Sequence, residues 1–346
     1  MYRLMKILFL ASILFVPKTW TKEMIEMEAL GAKATHCTYE YAFDMYGAHC
    51  AGLRLTKIPK LRGGLEILDF SDNKLQAIHA DTLSSFTSIK YLYLADNRIY
   101  IIDEDAFTGF TYLQSLDLSN NVLLNMPNSI LQLPSLRKLY LRGNPILYTS
   151  TELAIVRPIK APLELLDISD CKIKVLPYWG SLPQLVYYNI SYNPLTTLNT
   201  SHFAPMCNLE KVDLTESTDE LKLCSMRSPF LWFQEKRISF QLEDYSKLNT
   251  REFEKCPSND LVLHNATYNR CKADYLQVQS VKTTRRTWLT ISGGLAGFLI
   301  GFILLLYLMH RHNVAQTKTK SEKLKQATPA NDPDRNATAN LLRNAS

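Results

Sequence analysis

Leu65-Glu66-Ile67-Leu68-Asp69-Phe70-Ser71-Asp72-Asn73-Lys74-Leu75 has the spacing L-x-x-L-x-L-x-x-N-x-L. The spacing returns at Ile89-Leu92-Leu94-Asn97-Ile99, Leu113-Leu116-Leu118-Asn121-Leu123 and Leu136-Leu139-Leu141-Asn144-Ile146. It continues at Leu163-Leu166-Ile168-Cys171-Ile173 and Leu185-Tyr188-Ile190-Asn193-Leu195, then fades at Leu209-Val212-Leu214-Ser217. First positions lie 24, 24, 23, 27, 22 and 24 residues apart. A repeat of this period means stacked units, because one unit cannot bury its leucines alone. The L-x-L centre has strand alternation, so its leucines face a shared core and the residues between them face away. The Asn position turns the chain inward, where an amide can satisfy buried backbone groups. Cys171 and Ser217 replace it in two of the seven copies. Leu83, Phe107 and Phe203, each 18 residues into its unit, are expected to fill the outer core.

A short stack exposes core at both ends. Cysteine-bearing segments stand at each: Cys37 and Cys50 before the first copy, and Cys224, Phe230-Leu231-Trp232-Phe233, Cys256 and Cys271 after the last. In an oxidising compartment these read as disulfide-stapled caps.

The flanks are of another kind. Arg3 and Lys6 precede the ten-residue apolar run Ile7–Val16, which predicts a secretory signal over 1–20, cut near residues 17–22. Such a run rises only about 15 Å as helix, half a bilayer core. Trp288–Met309 carries no Asp, Glu, Lys or Arg. Its length, about 33 Å as helix, predicts a membrane span over 288–309. Trp288 and Tyr307 sit near its ends, where amphipathic rings prefer the interface. Basic residues flank both sides, so orientation follows from the signal: N-terminal part outside, at the plasma membrane, and 310–346 in the cytoplasm. That tail is polar and poor in aromatics, which predicts disorder.

Formal charge is +6, but residues 1–21 contribute +3 and 310–346 contribute +4, leaving −1 for 22–287. A near-neutral middle argues against a nucleic-acid partner. The expected order is a cap at 35–64, seven repeats at 65–217, a second cap at 218–275, a juxtamembrane linker at 276–287, then the span.

These motifs resemble the extracellular leucine-rich-repeat family with cysteine-bearing caps, which includes Toll-like receptor ectodomains, adhesion-type repeat proteins and insect immune repeat proteins. The resemblance covers about residues 35–275. It implies an α/β solenoid, a horseshoe with short parallel strands on its concave face. The family usually has four cysteines per cap and a C-x-C pair in the second. Here the first cap has two, and Cys224-Ser225-Met226 keeps only the first of the pair. Cys37–Cys50 is the expected first bridge. Cys207, Cys224, Cys256 and Cys271 allow three connectivities, and Cys171 is left over, pointing into the core. His36-Cys37 and His49-Cys50 make a poor zinc site, since adjacent residues rarely converge on one metal. No cofactor is expected.

The concave columns follow from the template: Ile67, Tyr91, Ser115, Lys138, Leu165, Tyr187, Lys211, and Asp69, Tyr93, Asp117, Tyr140, Asp167, Asn189, Asp213. Tyr91, Tyr93, Asp117, Tyr140, Asp167 and Tyr187 form the candidate ligand-binding patch, because tyrosine gives large contact area with a polar tip. Against this, tyrosine favours strands and Asp follows the common L-D-L-S pattern of such repeats. The fourth unit is long, and includes Arg157-Pro158-Ile159-Lys160-Ala161-Pro162. A plain spacer is the simpler reading of it.

Asn189, Asn199 and Asn265 head N-x-S/T glycan acceptor sites; Asn336 and Asn344 match but fall in the tail. Gly293, Gly297 and Gly301 share one face of the membrane helix, a pattern that lets helices approach closely in a homodimer or with a membrane co-receptor. We find no nucleophile elbow, phosphate loop or metal-binding His pair, so an enzyme is not expected. The function expected is recognition of an extracellular protein or microbial ligand, in an innate-immune or adhesive setting. The alternative is an accessory subunit that modulates a channel or larger receptor.

Overall fold

The computed structural model describes residues 36–146, 158–241, 255–256 and 261–326. The expected signal segment, Arg157, Asn336 and Asn344 lie outside these. The chain divides into two units, Met1–Tyr275 and Leu276–Ser346.

In the first unit a hairpin, β1 (Thr38–Ala42) and β2 (Met45–His49), leads into the repeat strands. Those are β3 (Ile67–Asp69), β5 (Tyr91–Tyr93), β7 (Ser115–Asp117), β8 (Lys138–Tyr140), β9 (Leu165–Asp167), β10 (Tyr187–Asn189) and β11 (Lys211–Asp213). Helix α1 (Leu223–Lys236) and strand β12 (Ser239–Gln241) follow. Two short strands, β4 (Ala77–Ile78) and β6 (Ile101–Ile102), pair on their own. The large sheet runs β1-β2-β3-β5-β7-β8-β9-β10-β11-β12, parallel throughout except for the hairpin.

Each repeat strand of the large sheet is three residues long because only the L-x-L centre alternates. Its middle residue, from Leu68 through Leu92, Leu116, Leu139, Leu166 and Tyr188 to Val212, is fully buried. Leu83, Phe107 and Phe203 are fully buried on the return limb, as their spacing predicts. Removing one such side chain costs about 2–5 kcal/mol, through lost burial and the cavity left behind.

The Asn positions form a ladder. Asn121 Nδ2 donates to Leu94 O (3.0 Å), Leu118 O (2.9 Å) and Ser119 O (3.2 Å), while its Oδ1 accepts from Ile99 N (2.9 Å). One amide thus closes the turn of its own repeat and bonds the repeat before it.

Both ends are closed. Cys37–Cys50 joins the two ends of the hairpin region, and Cys50 is fully buried. At the other end α1 packs Phe233 edge-on against Phe203, with centroids 4.9 Å apart. Phe230 stacks on Phe240 at 5.1 Å, and β12 pairs with β11. Of the three connectivities open to the last four cysteines, the structure takes Cys207–Cys271 and Cys224–Cys256.

Helix α2 (Leu261–Gln326) contains the apolar segment and corrects two expectations. The linker expected at 276–287 is helical, and so is 310–326, where disorder was expected. No proline occurs in α2, and no glycine after Gly301 within it. Lys, Gln, Glu and Ala are good helix formers, and extending a formed helix needs no new nucleus. The helix is long and apolar enough to cross a bilayer, and its apolar stretch is not buried within the protein.

Candidate ligand-binding face

The register of the sheet puts the two predicted columns side by side on the face away from the core. Tyr91 pairs with Ser115 and Tyr93 with Asp117; Asp117 pairs in turn with Tyr140, and Tyr140 with Asp167. Tyr187 stands beside Leu165, and Asn189 beside Asp167. Ser115 departs from the expected exposure, being buried. The caps extend the second column, with His49 beside Asp69 and Gln241 beside Asp213.

Asp and Tyr do different work here. Asp69, Asp117, Asp167 and Asp213 each accept, through Oδ1, the backbone N–H two residues on: Ser71 (3.1 Å), Ser119 (2.9 Å), Ser169 (2.9 Å) and Thr215 (3.1 Å). Asn189 does the same with Ser191 at 3.2 Å. These side chains hold the turn that leaves the strand, so the L-D-L-S pattern has a structural cause. Tyr93 and Tyr140 occupy the same column without this duty, and are free for contact.

The second carboxylate oxygens differ. Asp167 Oδ2 accepts from Asn189 Nδ2 (3.1 Å) and Asp213 Oδ2 from the Tyr187 hydroxyl (3.4 Å). Asp69 Oδ2 lies 3.8 Å from His49 Nδ1. Asp117 Oδ2 accepts no hydrogen bond among the described residues.

Half-burial among carboxylates raises the tyrosine pKa values. Desolvation is the larger cause for Tyr93 and Tyr140, followed by Tyr91 and then Asp117 for the first, and by Asp117 and Asp167 for the second. Burial, then Asp213, pushes Tyr187 up to about 12. All three phenols are therefore neutral donors at physiological pH. Lys211 lies over the Tyr187 ring, Nζ 5.2 Å from the centroid. Along the strands' leading edge charges are paired: Lys90 with Glu66, and Arg137 with Glu164 at 3.1 Å. His49 and Gln114 belong to this face and are not indicated by the sequence columns, whereas Lys211 stands where its column predicts. Gln114 meets the Tyr91 hydroxyl at 3.4 Å. The cap residue His49 could not be placed without the cap strand's register.

The other candidate residues lie elsewhere. Asn199 is exposed at the start of a short 3-10 turn, Oδ1 accepting from Ser201 N (2.9 Å). Asn265 lies on α2, where its Oδ1 accepts from Lys236 Nζ (2.7 Å). Gly293, Gly297 and Gly301 have open space where a Cβ would stand. Cys171 is buried and unpaired, its Sγ 3.2 Å from Leu141 O, and burial pushes its pKa up to about 12. That environment suppresses the reactive thiolate. No group of three or more His, Cys, Asp and Glu among the described residues is placed to hold a metal ion.

No curated protein matches the chain. Residues 87–146 match the family model described as Leucine rich repeat. With the parallel sheet and ladder on either side of that match, the first unit is a leucine-rich-repeat domain stapled by disulfides, and the chain continues into one long apolar helix.

Proposed function

We propose that this chain is a non-enzymatic cell-surface recognition protein, its repeat domain outside the cell and α2 anchoring it through the membrane once. The observation that carries this reading is the sheet face, where Tyr91, Tyr93, Tyr140 and Tyr187 gather beside Asp117 and Asp167 on residues the core does not need. Three disulfides favour an oxidising compartment. The ligand class is an extracellular protein or a microbial product. The full chain, displayed on cells, should capture a binder from a panel of extracellular proteins and microbial products. Replacing Tyr91, Tyr93 and Tyr140 together with Ala should abolish capture while surface expression persists. Full capture by that variant would reject the reading.

The open glycine face of α2 favours a second reading, an accessory subunit bound to another membrane protein or to a second copy of itself. Gly297→Ile should then abolish co-purification of the partner from detergent extracts. Co-purification at the unmodified level would remove this alternative.

A further inference from the structure

Two neighbouring files of residues make one side of the face acidic. One is the column from Asp69 to Asp213. The other lies three residues further on: Asp72, Asp96, Asn120, Gly143, Asp170, Tyr192 and Glu216, all in left-handed backbone conformation. Asp and Asn tolerate that conformation better than most residues. Together the files carry eight carboxylates in fourteen positions, and no Lys, Arg or His. Asp72, Asp96, Asp170 and Glu216 are exposed. The first column of the same face carries two exposed lysines, Lys138 and Lys211, the latter over the Tyr187 ring, while Lys90 and Arg137 at the strands' leading edge are matched by Glu66 and Glu164.

Within this band Asp117 is singular. Its neighbours in register are Tyr93 on one side and Tyr140 on the other. Strands are about 4.8 Å apart, so a cation seated at Asp117 lies within the roughly 6 Å reach of both rings. Asp117 also has a carboxylate oxygen with no hydrogen bond among the described residues, whereas Asp167 and Asp213 have both oxygens bonded.

Resting on the reading of this face as the recognition surface, we propose that Asp117, bracketed by Tyr93 and Tyr140, receives an arginine or lysine side chain from a cationic protein segment lying across the strands. The carboxylate supplies a charge-assisted hydrogen bond, the two tyrosines supply aromatic surface, and the flanking carboxylates attract the rest of the segment.

The test uses the full chain in neutral detergent. The probes are a short fluorescent arginine-rich peptide and its glutamate counterpart, with binding followed by anisotropy. Asp117→Asn is the informative variant, because Asn189 already holds the same turn in the sixth repeat with an amide. The arginine peptide should bind, weaken with added salt, and lose about tenfold in affinity with Asp117→Asn. Tyr93→Leu and Tyr140→Leu should each lose about threefold. Arginine-peptide binding that ignores all three substitutions, or no binding of that peptide, overturns the proposal. Tyrosine-dependent binding of the glutamate peptide also overturns it while leaving the recognition surface intact. The cell-display capture decides that broader reading independently.

Discussion

The first four repeats and the last three are built on the same spacing but bonded differently. In the first four, Asn73, Asn97, Asn121 and Asn144 each reach back one repeat, Nδ2 to a carbonyl and Oδ1 to an N–H, so four rungs repeat one geometry. At Cys171 half the rung is lost, although the thiol still meets Leu141 O at 3.2 Å. A thiol offers no amide oxygen, and Ile146 N turns instead to Asn144 O at 2.8 Å. Asn193 restores a rung, bonding both Cys171 N and Ile173 N at 3.0 Å. Ser217 then substitutes a hydroxyl, which reaches Ile190 O (2.8 Å) and receives Asn193 N (3.0 Å). Leu195 N falls back on Asn193 O. The family model matches only within the regular half, residues 87–146. The irregular half relies more on aromatic contacts: Trp179 Nε1 donates to the Tyr188 hydroxyl at 2.9 Å, and Phe203 meets Phe233. A solenoid therefore tolerates a weak rung where side-chain packing takes over.

The sharpest way to break this contrast is Asn121→Ala. It leaves buried Ile99 N without its acceptor and takes one of two hydrogen bonds from each of Leu94 O, Leu118 O and Ser119 O, and should cost about 3 kcal/mol in chemical denaturation. Ser217→Ala should cost less than half as much; equal losses would erase the distinction. Next, Tyr188→Phe removes the acceptor of a buried indole N–H and should destabilise by about 2 kcal/mol. The same change at exposed Tyr192 should be silent. Cys171→Asn supplies the missing amide and should stabilise by about 1 kcal/mol, read as a higher Tm. A lower Tm would mean that the fifth repeat has been shaped around sulfur.

The smallest effect is electrostatic. Burial lowers the His202 pKa, partly opposed by its contact with Asn199 O at 3.1 Å. Its folded value lies below the unfolded value of about 6.5, so the unfolded chain takes up the proton first. Stability from this group is present above about pH 6.5 and is lost as pH falls through the folded value. His202→Gln should flatten that part of the Tm-against-pH curve.

Every repeat strand was legible, because leucine spacing alone determines which residue faces the core. The two columns of the exposed sheet face followed from the same alternation, buried Ser115 excepted. The turn-holding role of Asp was also written in the chain, as Asp-x-Ser and Asp-x-Thr at 69, 117, 167 and 213, although Asp117 and Asp167 read as ligand contacts. The cap strands Met45–His49 and Ser239–Gln241 were not legible. They join the sheet by packing on its ends and carry no leucine template. The helical stretch 310–326 is not legible, because polar composition suits disorder and the extension of a helix already begun equally well.

Cys171 also bears on how the chain matures. Disulfides form by thiolate attack, and seven sulfurs compete until one is withdrawn. Repeats four to six perform that withdrawal by closing around the seventh and suppressing its ionisation. Accurate oxidation thus depends on the middle of the solenoid assembling early. Cells short of time or chaperones should accumulate mispaired forms, and the Cys171→Asn chain should be spared most of them.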